Sequence, residues 1–278
     1  MKYSVSGLLP LMMILSCCTT KQEVKQNTPH EDIVIRKSPD VTQEVAHRLC
    51  PNDMIEVTGM YCPVVEQRCL YMVDANGNKM DDTPDPNNGR CGEFANPVKC
   101  VSKQVHKSFC IDTYEFPNKK GSIPQDWMTW YDAKNACESV GKRLCTRSEW
   151  TFAAEGPNMH PLPYGDGFHR DKSICNFDNH AKVDVFKATK RDTPEGDILH
   201  ALLVPSGERS KCVSDWGVHD MPGNVDEWVI NETRQPYISG LMGGHVFGVR
   251  NASRPMTEAH GPDFGWYETG ARCCKDTE

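Results

Sequence analysis

Beyond its first residues the sequence has no run approaching the roughly 20 apolar residues that a membrane-spanning helix needs. It has no basic block either. Lys+Arg number 31 against Asp+Glu 38, a formal net charge of −7, so the positive footprint of a nucleic-acid binder is missing and no nucleic-acid partner is expected. No Cys-x-x-Cys occurs, and no cysteine pair combines with a His-x-x-x-His, which removes the usual zinc and iron–sulfur signatures. A Gly-x-Ser-x-Gly nucleophile elbow and a phosphate-cradling glycine loop are also lacking.

What remains is a polar chain of 278 residues, 38% hydrophobic and 25% charged, with a mean hydropathy of −0.57. That length can bury a real core. Its 14 cysteines are too many for a reducing compartment unless they bind metal, so disulfides in an oxidising compartment are expected. The N-terminus gives the route. Met1-Lys2 is a short positive region, Tyr3 to Leu15 is apolar, and Ile14-Leu15-Ser16-Cys17 has the form of a lipobox. Residues 1–16 therefore read as a lipoprotein signal peptide with Cys17 as the lipidated residue. Cys18 rather than Asp follows it, which makes a bacterial outer-membrane anchor the expected destination. The membrane is then met through the lipid alone.

Residues 17–46 are rich in Lys, Gln, Glu, Thr and Asp and poor in aromatics, the composition of a flexible tether. The folded domain is placed at 47–278, with a cysteine-rich opening segment at 47–110. Setting Cys17 and Cys18 aside leaves twelve cysteines, enough for six bridges whose pairing the sequence leaves open.

Met54–Val57 and Cys69–Val73 read as strands, and Asp74-Ala-Asn-Gly-Asn78 and Thr83–Gly89 as turns. Asp74, Asn76 and Asn78 imitate the start of a calcium loop, but Lys79 stands where glycine is needed, so a surface loop is preferred. Thr129–Val140 carries Trp130, Ala133, Ala136, Cys137 and Val140 on one helical stripe closed by Gly141. Thr146-Arg-Ser-Glu149 is a capping box opening a second helix through Ala154, ended by Gly156 and Pro157. Lys142 and Arg143 fall just past the first helix, where positive charge suits the carbonyl end. The mixture predicts a loop-rich α+β domain.

The motifs then follow one another in a familiar order: Ser108-Phe-Cys-Ile-Asp-Thr-Tyr-Glu115, Gly141-Lys-Arg-Leu-Cys-Thr-Arg-Ser-Glu-Trp150, Tyr164-Gly-Asp166, Cys175-Asn176, Trp216-Gly-Val-His-Asp-Met-Pro-Gly-Asn-Val-Asp-Glu-Trp228, Gly243-Gly244 and Gly270-Ala-Arg-Cys273. Over about residues 50–276 the chain resembles the formylglycine-generating enzyme (sulfatase-modifying factor) family. The resemblance implies a variant of the C-type lectin fold stabilised here by disulfides. It also implies a structural calcium held by the side chains of Asp220 and Glu227 and the carbonyls of Gly223 and Val225, an oxygen set that suits a hard cation. A second calcium site would begin at Asn176 and the Phe177 carbonyl, but its later ligands do not align.

The active enzymes of that family oxidise a substrate cysteine with copper held by two cysteines just after the Gly-Gly. Here Gly243–Pro255 contains no cysteine, so no copper is expected and copper-dependent activity is not. His245, His260 and Asp263 form the residue set for a non-haem iron site, against which stands the absence of any spacing that brings them together. Phe247, Arg250, Phe264, Trp266 and Tyr267 fall where the family's groove would be lined, and loop aromatics make effective anchors. The preferred reading is a non-catalytic envelope lipoprotein that binds a protein or glycan. The alternatives are a non-haem-metal oxidase or hydroxylase and a purely structural envelope protein.

Overall fold

A computed structural model describes residues 49–278 apart from 75, 81–89, 180–181 and 249. Cys17, the tether and the Thr83–Gly89 turn lie outside the described residues. Thirteen strands and three helices follow in order: β1 (Met54–Tyr61), β2 (Val65–Glu66), β3 (Cys69–Val73), β4 (Lys79–Met80), β5 (Cys91–Phe94), β6 (Lys99–Cys100), β7 (Val105–Asp112), α1 (Trp130–Ser139), β8 (Arg143–Leu144), α2 (Arg147–Glu155), α3 (Pro194–His200), β9 (Asp226–Ile230), β10 (Ser239–Met242), β11 (Met256–Thr257), β12 (Thr269–Ala271) and β13 (Cys273–Asp276). The organisation is α+β and loop-rich, as expected.

One sheet runs β1-β7-β13-β8 and a second β11-β10-β9-β12, with β3 between β4 and β5 and β2 paired to β6 in the opening segment. β1 and β7 pair antiparallel along their whole length, Met54 opposite Asp112 and Tyr61 opposite Val105. β12 lies parallel to β9, Gly270 opposite Glu227. The main core gathers Val57, Phe109, Ile111, Trp150, Phe152, Met221 and Met242 between the first sheet and α2. Each fully buried aromatic of this kind contributes roughly 2–3 kcal/mol by leaving water.

α1 and α2 begin on reciprocal capping boxes. Thr129 accepts from the Asp132 amide and Asp132 accepts in return, and Thr146 and Glu149 do the same for α2. These local bonds satisfy amides that have no partner within the helix. α1 buries Trp130, Ala133 and Cys137, but Val140, expected on its apolar stripe, is 54% exposed. The helix has already ended at Ser139, and Gly141 at φ 70° turns the chain away. Lys142 also departs from expectation. It bonds Asp53 and Asp112 at 2.5 and 2.6 Å, because two carboxylates outweigh a helix end as partners for an ammonium.

The twelve described cysteines form six disulfides. The six of the opening segment pair among themselves, as Cys50–Cys110, Cys62–Cys100 and Cys69–Cys91. The later six pair as Cys137–Cys273, Cys145–Cys274 and Cys175–Cys212. Adjacent Cys273 and Cys274 thus tie β13 to α1 on one side and to the residue before α2's N-cap on the other. The Asp74–Asn78 turn is self-contained: the Asp74 carboxylate accepts from the Asn76 and Asn78 amides at 2.8 Å each, an Asx-type turn.

Candidate functional site

β10 ends at Met242, and Gly243-Gly244 follow it as the chain doubles back. A Cβ on Gly243, at φ 92°, would lie 2.3 Å from the Met221 carbonyl oxygen, and one on Gly248 would lie 1.7 Å from Asp178 Oδ1. Only glycine allows so close an approach. Asn251 closes the loop by donating Nδ2 to the Gly243 and His245 carbonyls at 3.0 and 3.3 Å. Arg90 pins it from the opening segment, donating to the carbonyls of Gly248 and Phe247 at 2.7 and 2.9 Å.

The loop brings His245 and Arg250 to a buried polar cluster, with Phe247 beside it. Asp226, wholly buried on β9, accepts from the Gly244 amide at 3.2 Å and from Arg250 Nη2 at 3.3 Å. Burial pushes its carboxyl up to about 6, with Arg250 opposing. His245 Nε2 lies 3.2 Å from Glu268 Oε2. Burial also drives the imidazole down to about 4, so at neutral pH this contact is a hydrogen bond from a neutral ring rather than an ion pair. Burial raises the Glu268 carboxyl and the Tyr267 phenol above their ordinary values.

From Tyr267, which packs on His245, the aromatic side chains continue through Trp266 as a ladder. Phe186 and Trp266 are 6.0 Å apart, Trp266 and Phe264 6.2 Å, and His260 stacks on Phe264 at 3.8 Å with planes 10° apart. The Trp266 indole is fixed by donating to the Ala188 carbonyl at 2.9 Å. Of the expected groove residues, Phe247, Arg250, Phe264 and Trp266 are partly exposed. Tyr267 is buried, wedged among Trp266, Phe247 and His245, so it belongs to the core behind the ladder. Phe186 was not foreseen. At 81% it is the most exposed of the large hydrophobic side chains, and the only signal in the sequence is a lone aromatic between Asp184 and Lys187. Trp127, in the same cluster, has φ 60° and a buried indole N–H without a partner.

His245, His260 and Asp263 are not brought together. His245 is buried against Glu268, His260 lies on the ladder and Asp263 is exposed. Among the described residues no three His, Cys, Asp or Glu side chains group as a metal site. The copper donor set does not fit either, since all twelve described cysteines are consumed in disulfides and Gly243–Pro255 supplies none.

The carboxylates expected for calcium sit in a second buried cluster. Glu227 accepts Arg272 Nη2 and Nε at 2.9 and 3.0 Å and the Trp150 indole N–H at 2.7 Å, so both its oxygens are engaged. Asp220 accepts the Gly207 amide at 2.6 Å. Glu115, missed by sequence reasoning, completes the group. One of its oxygens accepts Ser206 Oγ and Asn224 Nδ2 at 2.8 and 3.1 Å, and the other is buried without a partner. Three carboxylates thus share one guanidinium. Burial, then Asp220, pushes Glu115 well above its ordinary value, and burial pushes Asp220 up to about 6. An unpartnered buried carboxylate oxygen calls for a proton or a hard cation. Asn176 has its side-chain amide committed to Leu202, Asn224 and Asn179, and Phe177 is buried under Arg170 at 4.3 Å.

Among solved structures, CarF has a TM-score of 0.49 at 15% identity, covering 83% of this chain and all of that one. PvdO from Pseudomonas aeruginosa has 0.45 at 16%, covering 82% and 95%. Among curated proteins, a serine/threonine-protein kinase pkn1 of Chlamydia pneumoniae is 34% identical over 101 residues, 36% of this chain and 12% of the kinase. The inactive C-alpha-formylglycine-generating enzyme 2 of Bos taurus is 30% identical over 115 residues, 41% of this chain and 35% of that protein. The chain therefore spans well under half the length of these relatives. The profile of sulfatase-modifying factor enzyme 1-like domains matches residues 56–277, nearly the whole described chain, and the protein belongs to that formylglycine-generating enzyme-like family.

Proposed function

We propose that the chain is a non-catalytic, ligand-binding member of its family, held at the bacterial cell envelope by a lipid on Cys17. The observation that carries the first half is the disulfide count. Copper(I) requires soft thiolate ligands, and every cysteine of the described domain is locked in a bridge. The position after Gly243-Gly244 holds His245, neutral and packed between Phe247 and Tyr267. Similarity to a relative named inactive is consistent with this reading.

The ligand, a glycan or a protein, docks on the ladder of Phe186, Trp266, Phe264 and His260. Exposed and partly exposed rings 3.8 to 6.2 Å apart offer flat apolar faces, and a rigid aromatic loses little side-chain entropy on binding. Titration of the full chain with purified lipopolysaccharide or soluble peptidoglycan fragments, followed by tryptophan fluorescence, tests this. A saturable response lost in Phe186→Ala and Trp266→Ala is expected. No saturable response from any envelope glycan or protein would leave the structural reading instead.

A structural calcium belongs to the same proposal, at the Glu115–Asp220 cluster. Its fit rests on the unpartnered oxygen of Glu115. The side chains that would hold the ion are Glu115 and Asp220, while Glu227 is spent on Arg272. The ion would neutralise charge and fix the Asp220–Glu227 turn.

A further inference from the structure

β1 is the outermost strand of the β1-β7-β13-β8 sheet and runs for eight residues, Met54–Tyr61. Among the described residues only β7 pairs with it, in unbroken register from end to end. Opposed residues of an antiparallel pair alternate between those that exchange N–H···O bonds and those whose N–H and C=O point away. The Thr113 amide donates to the Asp53 carbonyl at 3.5 Å, and Met54 turns its own amide away from β7, to the Pro51 carbonyl at 3.0 Å. Ile55, Val57, Gly59 and Tyr61 therefore bond β7, while Glu56, Thr58 and Met60 direct N–H and C=O outward from the sheet. Among the described residues nothing bonds those three amides and carbonyls, and all three side chains are exposed.

A free edge is ordinarily blunted by shortness, a proline, a bulge or a lysine. β1 has none of these: its sequence is Met-Ile-Glu-Val-Thr-Gly-Met-Tyr. The other edge of the same sheet, β8, has two residues, and the edges of the second sheet, β11 and β12, have two and three. On the core face of β1, Ile55 and Trp216 pack against the main core while staying partly exposed. Gly59 sets no side chain over that indole, which lies 3.9 Å from where a Cβ would stand. A strand added beside β1 thus meets open backbone groups together with apolar surface.

We infer that β1 pairs antiparallel with β1 of a second copy of this chain, about a two-fold axis through Thr58. Self-complementarity of the edge selects this occupant. With Thr58 opposite Thr58, Glu56 of each copy faces Met60 of the other, so all three outward residues fall in bonded pairs and every free amide and carbonyl among them is met. No carboxylate opposes another, and the two threonines form a favourable cross-strand pair. An axis through Glu56 would set two carboxylates face to face, and an axis through Met60 would leave Glu56 beyond the pairing. The contact is isologous and closes on itself. Both long edges are consumed, and β8 is too short to extend the sheet, so assembly stops at two copies.

The test is sedimentation velocity of the full chain over a wide concentration range, with hydrogen exchange read at the Glu56, Thr58 and Met60 amides. A monomer–dimer equilibrium is expected, and the three amides become protected as the dimer fills. Thr58→Pro removes a donor that points to solvent in the monomer, a position where an edge strand tolerates proline, and weakens the dimer about tenfold by deleting two of its bonds. Met60→Glu sets a carboxylate against Glu56 twice per dimer and loses about fivefold in affinity, whereas Met60→Lys sets an ammonium there and gains about fivefold. A chain that stays monomeric at every concentration overturns the inference. So does a dimer indifferent to Thr58→Pro, or one that Met60→Glu and Met60→Lys shift in the same direction. Protection of the three amides in a monomer would put a different segment on the edge and overturns it too.

Discussion

Glu227 and Arg272 face one another with neither side chain exposed, carboxylate to guanidinium at 2.9 Å. Arg272 stands between β12 and β13 and also donates to the carbonyls of Asp112 and His219 at 3.1 and 2.8 Å. Among the described residues it is the cation hydrogen-bonded to the group of Glu115, Asp220 and Glu227, while Arg209 also acts on Asp220. Breaking a buried pair by removing one partner costs far more than the pair itself contributes.

Arg272→Met is therefore expected to destabilise the domain by about 3–5 kcal/mol, read from urea unfolding with the disulfides kept oxidised. Glu227→Gln costs less, because Asp220 still opposes the Arg272 charge. Equal costs for the two would mean that the guanidinium is not the shared partner.

Calcium at millimolar concentration is expected to raise the melting temperature of the wild-type chain, and isothermal titration should show one site. Glu115→Gln and Asp220→Asn should each abolish that shift, since a ligand bound only by the folded state stabilises by mass action. A wild-type melting temperature unmoved by calcium would remove the ion from the account.

His245 gives a pH dependence of known sign. Burial holds its folded-state value at about 4 against an ordinary 6.5, with Asp226 opposing and Arg250 and Arg90 reinforcing. The folded chain thus binds the proton less well than the unfolded one. The stability this contributes is present above about 6.5 and is lost as pH falls towards 4. Relative to wild type, His245→Gln should gain roughly 3 kcal/mol between pH 7 and pH 4. Groups common to both chains cancel in the difference, and a flat difference would show that the ring is not held neutral.

Phe186 projects into solvent, so Phe186→Ala should change unfolding stability by less than about 0.5 kcal/mol. Trp266→Ala removes a partly buried ring and should cost stability as well as ligand response. Stability loss in Phe186→Ala would assign that ring to packing.

Features that rest on near neighbours in the chain were legible in the sequence. The Thr146–Glu149 capping box, the Asp74–Asn78 turn and the Gly156 helix stop need only a few residues to specify them, and the structure has all three. Features made by distant segments were not legible. Glu115 meets Asn224 across more than a hundred residues, and nothing local to either marks the contact. The disulfide pairing is of the same kind. Tyr267 and Phe186 show the complementary difficulty: an aromatic in a loop reads the same whether it faces the core or solvent, and only the neighbouring rings decide. The Gly243–Pro255 departure was legible because it is the absence of a required atom type.

Among the described residues every cysteine sits in a disulfide, which leaves no free thiolate to hold copper. The most direct test of this central claim incubates the full-length protein, disulfides intact, with copper, oxygen and a Cys-x-Pro-x-Arg peptide, and measures peptide aldehyde by hydrazide capture and mass spectrometry. The expected result is no aldehyde above the copper-only control. Catalytic accumulation of formylglycine, dependent on the folded protein, would contradict it.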